Sequence, residues 1–220
     1  MANLAVMEPI SHNLVVQRTA RYFSLGGDAP QHDTLIVLHG YGMHAGKFIR
    51  DFEPLASPSL RIVAPEGLSR FYRRGFDGEV IASWMTREDR ISEIADQRYY
   101  LDSLYDLVAQ NSEGKVFVLG FSQGTATATR WMASNSRRFS GLVLWGGDFA
   151  PDVDGGINGI GRVICVVGNQ DPFIPLPLFE EHCIALENKG YEVDRKVFEG
   201  GHEIPGTVLA GIWSKCILGH

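Results

Sequence analysis

The stretch Lys115–Gly124, KVFVLGFSQG, decides the fold. Its first half, Val116–Leu119, is a short apolar run of the kind that forms a buried parallel strand. The chain then turns abruptly at residues 120–124, and Thr125–Ala133 continues in a composition that favours a helix. We therefore predict a strand, a sharp turn with Ser122 at its centre, and a helix.

The serine in this turn has the spacing of a nucleophile elbow, G-x-S-x-G. A serine hydroxyl is a weak nucleophile, so it must stand clear of the sheet where a base can reach it. Gly120 and Gly124 remove side chains that would clash in so tight a turn. The first N–H groups of the following helix point at the space above Ser122, where an oxyanion could lie. Because Gly and Ser also build ordinary turns, this motif needs an acid, a base and a second oxyanion donor elsewhere.

Length and composition indicate one soluble domain. The 220 residues suit a single α/β domain over 1–220, and 45% hydrophobic residues suffice for a full core. The net charge of −6 disfavours nucleic acid or an anionic membrane as the main partner. Cys165, Cys183 and Cys216 have no metal spacing and cannot all pair, which favours a reduced, cytoplasmic compartment. No signal peptide and no membrane span are predicted, and a homodimer is left open.

Strands alternate with helices along the chain, which predicts a mostly parallel, doubly wound sheet with helices on both faces. The connection Pro65–Met85 has no assigned element and is the only one long enough for a cover, so no large lid domain is expected. The predicted strands are 14–17, 21–25, 34–38, 60–64, 116–119, 142–145, 163–167 and 191–198. The predicted helices are 44–56, 86–110 with Thr86 as its N-cap, the elbow helix, 175–188 and 204–218.

Candidate functional residues follow five of these strands. In open α/β sheets, ligands bind beyond the carboxyl ends of the strands. The segments that end there carry His39-Gly40, Ser122, Asp148, Asp171 and His202. We expect them to meet along one edge of the sheet.

The base that activates Ser122 should be a histidine at this edge. Seven histidines are present. His39 begins a glycine turn, His182 lies in a predicted helix, and His220 is the last residue. His202 stands in a Gly-Gly-His turn after the last strand, so we predict it as the base.

The acid should lie between the serine and the histidine in chain order. Asp171, in GNQDPFIP, and Asp148, in GGDFAP, both qualify. Asp171 is preferred because it follows the strand before that of His202 and because Pro172 and Pro175 stiffen its loop. Its role would be to hold the neutral imidazole in the right tautomer and to stabilise the imidazolium.

The oxyanion hole needs two N–H donors. The residue after the nucleophile, Gln123, supplies one through its backbone. The second is predicted from Tyr41, in the turn His39-Gly40-Tyr41-Gly42 after the strand 34–38.

Four motifs together resemble the phospholipase/carboxylesterase group of α/β-hydrolases, which includes acyl-protein thioesterases and bacterial carboxylesterases. They are LHGYG at Leu38–Gly42, GFSQG at Gly120–Gly124, GNQDPFIP at Gly168–Pro175 and GHEIP at Gly201–Pro205. The resemblance implies an α/β-hydrolase fold, the triad Ser122, Asp171 and His202, and an oxyanion hole from the N–H groups of Tyr41 and Gln123. It also implies a serine esterase or thioesterase that needs no metal or other cofactor.

The chain departs from related proteins at two positions. Met43 stands where the group often has Asp, which affects how the loop is anchored. Ser122 stands where the similar dienelactone hydrolases use Cys, which argues against that chemistry.

Apolar side chains near the expected site suggest a shallow acyl or aromatic pocket for a small-molecule ester. The role of Arg70, Arg73 and Arg74 is left open. The pocket candidates are Met43, Phe76, Trp84, Met85, Phe149 and Phe173.

Other functions stay open because a fold does not determine its use. A ligand receptor or interaction module with slow or no turnover is one alternative. Another reaction of the same triad, such as C–C hydrolysis or perhydrolysis, is a second.

Overall fold

The protein is described by a computed structural model that covers residues 8–109 and 114–214. Its strands are β1 (Tyr22–Gly26), β2 (Asp33–Leu38), β3 (Leu60–Pro65), β4 (Ser69–Arg74), β5 (Asp77–Ser83), β6 (Val116–Phe121), β7 (Gly141–Trp145), β8 (Arg162–Gly168) and β9 (Glu192–Phe198). Its α-helices are α1 (Ala45–Phe48), α2 (Arg90–Ala109), α3 (Gln123–Ala133), α4 (Leu176–Asn188) and α5 (Gly206–Ile212), and a 3₁₀ helix spans Ile49–Leu55.

Seven strands form the central sheet, in the order β1-β3-β2-β6-β7-β8-β9. Strand β1 pairs antiparallel with β3 at one edge, and the other neighbours pair in parallel. Parallel neighbours require crossover connections, which place helices on the faces of the sheet. The predicted doubly wound α/β architecture is confirmed.

Both faces of the sheet are buried, and alternate residues of one strand serve different cores. In β2, Ile36 and Leu38 pack with α2, α3 and α4 on one face. Leu35 and Val37 pack with α1, the 3₁₀ helix and α5 on the other face. This two-sided burial explains why strands such as β6 are continuous apolar runs.

The turn from β6 into α3 is packed against the end of β2. A Cβ atom added at Gly124 would lie 2.0 Å from the carbonyl oxygen of Leu38. A Cβ at Gly120 would lie 2.5 Å from the Gly124 carbonyl oxygen. Both glycines therefore allow backbone contacts that no other residue could make, as the motif predicts.

The connection Pro65–Met85, unassigned in the sequence, contains a β-hairpin. Strands β4 and β5 pair antiparallel and form a separate two-stranded sheet. Its apolar residues are mixed with arginines, so no alternation signalled the strands. The hairpin joins the main body through an antiparallel bridge between Met43 and Ala82. This segment is a small hairpin rather than a lid domain.

One predicted strand is absent, and two predicted helices differ from the structure in their extent. Residues 14–17 form no strand. Leu14 and Val15 are exposed, because this apolar run does not pair with a strand of the sheet. The predicted helix 44–56 is divided into α1 and the 3₁₀ helix, which contains Pro54. Thr86 does not cap α2: its hydroxyl accepts the Glu88 N–H (3.2 Å) in a turn, and the helix begins at Arg90.

The remaining boundaries agree within a few residues. Helix α5 begins two residues later than predicted, and the end predicted at Leu218 lies outside the described residues. Gln110, Cys216 and His220 lie outside them as well. Within 8–109 and 114–214, no helix is long and apolar enough to cross a membrane.

Substitution of Gly124 by alanine is expected to lower the free energy of unfolding by about 3 kcal/mol or more, because the new Cβ overlaps a backbone oxygen that cannot move away alone. The effect is measured by urea denaturation. Gly155→Ala is the matched control, since a Cβ there meets no atom within 4 Å, and it should leave stability unchanged. Equal stability of the two variants would contradict the packing argument.

Candidate active site

Ser122 sits at the junction of β6 and α3 in a strained backbone conformation, with φ 53° and ψ −120°. Positive φ is uncommon for a residue with a side chain, and such strain is found where the surrounding structure enforces it. Here the Ser122 N–H donates to the Trp145 carbonyl oxygen at 2.9 Å, which ties the turn to the end of β7. The side chain remains partly exposed, so the hydroxyl can be reached.

His202 and Asp171 form a close pair beyond the ends of β9 and β8. The Nδ1 atom of His202 lies 2.6 Å from Asp171 Oδ2. The other Asp171 oxygen accepts the N–H groups of Phe173 (2.8 Å) and Ile174 (3.1 Å). Because an ionised carboxylate only accepts, Nδ1 carries the proton, and Nε2 is left to accept one.

The loops that carry this pair are joined to each other. Gln170 N–H donates to the Gly200 carbonyl oxygen at 2.8 Å. The Trp145 indole N–H donates to the Glu203 carbonyl oxygen at 2.9 Å, which anchors the histidine loop to β7. These bonds hold the pair at the carboxyl edge of the sheet.

The pair lies beside the elbow turn. A Cβ atom at Gly146 would lie 3.0 Å from His202 Cε1 and 3.4 Å from Asp171 Oδ2, and Gly146 follows the residue that binds Ser122 N–H. The rings of Phe121 and His202 have centroids 4.7 Å apart, and Phe121 immediately precedes Ser122. The structure therefore places all three predicted triad residues in one neighbourhood.

Asp148, the alternative acid, has a different partner. Its Oδ2 lies 3.4 Å from Nε2 of His182 in α4. Burial raises the pKa of the Asp148 carboxyl, and the neighbouring His182 lowers it in part. The carboxylate paired with His202 is that of Asp171.

The turn after β2 lies against Ser122. A Cβ atom at Gly40 would be 3.1 Å from Ser122 Cβ, so the missing side chain permits this approach. Gly40 N–H donates to Met43 Sδ at 3.3 Å, and Gly42 N–H donates to the Ala82 carbonyl oxygen at 2.9 Å. Between them, within the described part of the chain, the Tyr41 N–H has no protein acceptor.

Gln123 has two parts with different surroundings. Its backbone opens α3, where the first N–H groups have no acceptor within the helix. Its side chain accepts the Trp84 N–H at 3.1 Å and donates to the Met85 carbonyl oxygen at 2.9 Å. This amide ties the elbow to the segment after β5, a role that the sequence did not reveal.

His39 is the second residue whose role the sequence did not reveal. Its ring is fully buried and stacks on Trp84, with centroids 5.0 Å apart. Its Nε2 accepts the Gly67 N–H at 3.0 Å, and its Nδ1 lies 2.7 Å from the Gly40 carbonyl oxygen. Burial lowers the pKa of His39 to about 4, although the Gly40 carbonyl opposes the shift.

The predicted pocket residues divide by their exposure. Trp84 is 1% exposed, and its indole N–H donates to the His39 carbonyl oxygen at 2.8 Å, so it is a core residue with no surface for a substrate. Phe149 is also buried, and Phe76 is fully exposed in the hairpin turn between β4 and β5. These three positions do not suit a pocket wall. Met43 and Met85 are partly buried and Phe173 is exposed, with its ring centroid 4.8 Å from that of His202.

The three arginines of the hairpin have different surroundings. Arg73 donates to the Gly42 carbonyl oxygen at 3.2 Å and lies 3.6 Å from Glu79. Arg70 and Arg74 are exposed on β4. Arg73 therefore serves to attach the hairpin to the turn after β2.

Comparison of this chain with known proteins identifies a family and solved structures of similar fold. The model of the phospholipase/carboxylesterase family matches residues 25–215. A comparison with curated protein sequences gives no match.

Two solved structures illustrate the likeness in fold. Acyl-protein thioesterase 2 from Zea mays superposes with a TM-score of 0.69 at 19% identity, over 91% of this chain and 100% of the other. A carboxylesterase from Mesorhizobium loti superposes with a TM-score of 0.69 at 21% identity, over 92% and 97%.

The low pKa of His39 predicts an acid-sensitive fold. The unfolded chain binds a proton at this ring below pH 6.5, whereas the folded protein binds it only near pH 4, so stability falls as the pH is lowered between these values. Between pH 7 and pH 5 the loss from this group should be about 2 kcal/mol. Urea denaturation of wild type and His39→Gln at both pH values isolates the contribution. An identical pH dependence in the two proteins would contradict it.

Proposed function

Since the chain belongs to the phospholipase/carboxylesterase family of α/β-hydrolases, we propose that it is a serine hydrolase that cleaves carboxylic esters or thioesters of small to medium acyl groups. The observation that carries the proposal is the hydrogen-bonded pair of His202 and Asp171 (2.6 Å) beside the strained turn of Ser122.

In the proposed first step, Ser122 Oγ attacks the carbonyl carbon of the substrate while Nε2 of His202 takes the hydroxyl proton. The imidazolium then gives this proton to the departing alcohol or thiol, and an acyl-serine remains. Asp171 keeps the imidazole in the Nδ1–H tautomer and stabilises its cationic form. Its own charge is stabilised by the N–H groups of Phe173 and Ile174.

Water completes the proposed cycle. His202 accepts a proton from a water molecule, the resulting hydroxide attacks the acyl carbonyl, and the proton returns to Ser122 Oγ as the carboxylic acid leaves. In both steps the tetrahedral oxyanion is bound by the N–H groups of Gln123 and Tyr41. The Tyr41 N–H is suited to this role because it has no acceptor in the described protein.

The surroundings of Ser122 suit a shallow site. Tyr41 is 61% and Phe173 68% exposed, while Met43 and Met85 are half-buried. Such a surface offers apolar contacts without enclosing the substrate, which favours small to medium acyl groups. The solved relatives support both chemistries, since one is named a thioesterase and the other a carboxylesterase.

A cytoplasmic location and a single domain over 1–220 are part of the same proposal. The location is supported by Cys165 and Cys183, which are buried free thiols, as expected in a reducing compartment. The homodimer stays a prediction.

Replacement of Ser122 by alanine is expected to lower kcat for p-nitrophenyl esters by about 10⁴-fold or more, because the attacking atom is removed. The measurement is initial rates over a series of acyl chain lengths, with labelling by a fluorophosphonate as a second readout. The control is Ser140→Ala, which replaces an exposed serine immediately before β7 and should retain wild-type rates.

Turnover that survives in Ser122→Ala would show that another residue is the nucleophile. Wild-type protein that neither hydrolyses the esters nor reacts with the fluorophosphonate would overturn the hydrolase proposal. That outcome would favour the receptor or interaction module.

Replacement of each candidate acid by asparagine is expected to show which aspartate supports catalysis. Asp171→Asn should lower kcat by about 10³–10⁴-fold, because the amide no longer selects the Nδ1–H tautomer of His202. Asp148→Asn, the matched variant, should keep kcat within about threefold of wild type because Asp148 pairs with His182. The kcat values of both variants are measured by steady-state kinetics with one ester. A larger loss of kcat in Asp148→Asn than in Asp171→Asn would identify Asp148 as the acid.

A further inference from the structure

His39 takes no part in the proposed chemistry, yet its ring lies at the back of the turn that carries Tyr41. It is fully buried, between Trp84, on which it stacks, and Phe48, whose ring centroid is 6.4 Å away. Both ring nitrogens have backbone partners, at Gly67 and at Gly40. A buried imidazole with two such partners has a defined rotation and a defined proton position.

The Gly67 partner determines which nitrogen of His39 carries the proton. A backbone N–H can only donate, so Nε2 must be the unprotonated acceptor of the 3.0 Å bond. Because the ring is neutral, with its pKa lowered to about 4 by burial, the proton lies on Nδ1. Nδ1–H therefore donates to the Gly40 carbonyl oxygen at 2.7 Å.

The carbonyl that accepts this bond belongs to the same peptide group as the Tyr41 N–H. The described chain contains no cis peptide bonds, and in a trans peptide the C=O and the N–H point in opposite directions. When His39 holds the Gly40 carbonyl on the core side, the Tyr41 N–H is turned away from the core. The Tyr41 N–H then lies in the turn after β2, and Gly40 of the same turn packs against Ser122.

Neighbouring peptide groups of this turn are held by other residues. Trp84 donates to the His39 carbonyl oxygen at 2.8 Å, and the Gly42 N–H donates to Ala82 at 2.9 Å. Within the described residues, the peptide group between Gly40 and Tyr41 makes one hydrogen bond, in which its carbonyl oxygen accepts from His39. Glycine at position 40 would otherwise let this peptide rotate at little cost.

We propose that His39 is a positioning residue that orients the Tyr41 N–H toward the oxyanion of the reaction at Ser122. The inference rests on the proposed function, since it assumes that an oxyanion forms there. The residue does not touch the substrate, and it acts through the Gly40–Tyr41 peptide alone. It should therefore affect kcat more than KM, because the oxyanion exists in the transition state rather than in the bound ester.

Two substitutions separate the two hydrogen bonds of the ring. His39→Gln keeps an acceptor near the Nε2 position for Gly67 but loses the donor to Gly40. His39→Asn keeps a donor near the Nδ1 position and loses the Gly67 bond. With p-nitrophenyl esters, we expect H39Q to lower kcat by about 10- to 100-fold with little change in KM. H39N should retain at least about tenfold more activity than H39Q.

A double-mutant cycle tests whether His39 acts through Tyr41. Tyr41→Pro removes the N–H itself and should lower kcat by about 10²–10³-fold. In that background, H39Q should lower kcat by less than about threefold further, because the group that His39 orients is already absent. Losses that multiply in the double variant, or equal losses in H39Q and H39N, would overturn the proposal.

A measurement on wild-type protein keeps the test decisive if a variant fails to fold. Nitrogen NMR of the labelled imidazoles should show His39 as a neutral Nδ1–H tautomer at pH 7, and an Nε2–H tautomer would overturn the proposal. If wild type hydrolyses esters through Ser122 while H39Q matches it in kcat, the proposed function stands and this inference fails alone. If wild type shows neither turnover nor fluorophosphonate labelling, both fail together.

Discussion

The close packing of two backbones at the elbow is the constraint on which the rest of this molecule depends. The first turn of α3 approaches the end of β2 so closely that Gly124 has no room for a side chain. A Cβ atom added there would lie 2.0 Å from the Leu38 carbonyl oxygen. That contact places Ser122 between β2 and β7 and holds it at a positive φ of 53°. The strain is sustained because the surrounding sheet, buried on both faces, leaves the turn no alternative.

From this junction, polar contacts extend into the neighbouring loops. The Gln123 side chain holds the segment after β5, and Trp84 of that segment donates to His39 at the start of the turn after β2. Buried polar groups of this kind lower the energy only when each has its partner, and here the partners are backbone groups of loops that would otherwise be free to move. The proposed site is thus supported by residues that need not meet the substrate.

The positions of the candidate triad residues in the fold were more predictable than the connections around them. Ser122 and Asp171 follow the apolar strands β6 and β8, and His202 follows the more polar β9. Parallel strands place the turns after them at one edge of the sheet whatever the details of the loops. The hairpin of β4 and β5 escaped prediction because its exposed residues show no alternation, and the run at 14–17 was assigned a strand that has no partner in the sheet. Trp84 was predicted to line a pocket, but it is buried in the core, where its indole N–H donates to the His39 carbonyl oxygen.

The alternation of strands with helices and the elbow turn follow from local sequence, because periodicity, glycine spacing and turn composition act over a few residues. The order of the strands in the sheet was decided only by the tertiary structure. The family resemblance rests on the same short motifs, and the family model confirms it. The partner of each buried polar group depended on contacts far apart in the chain. Gly67 determines the tautomer of His39 across 28 positions, and the Gln123 side chain accepts the N–H of Trp84. Such pairings arise only when the folded chain excludes water and leaves each donor a single acceptor.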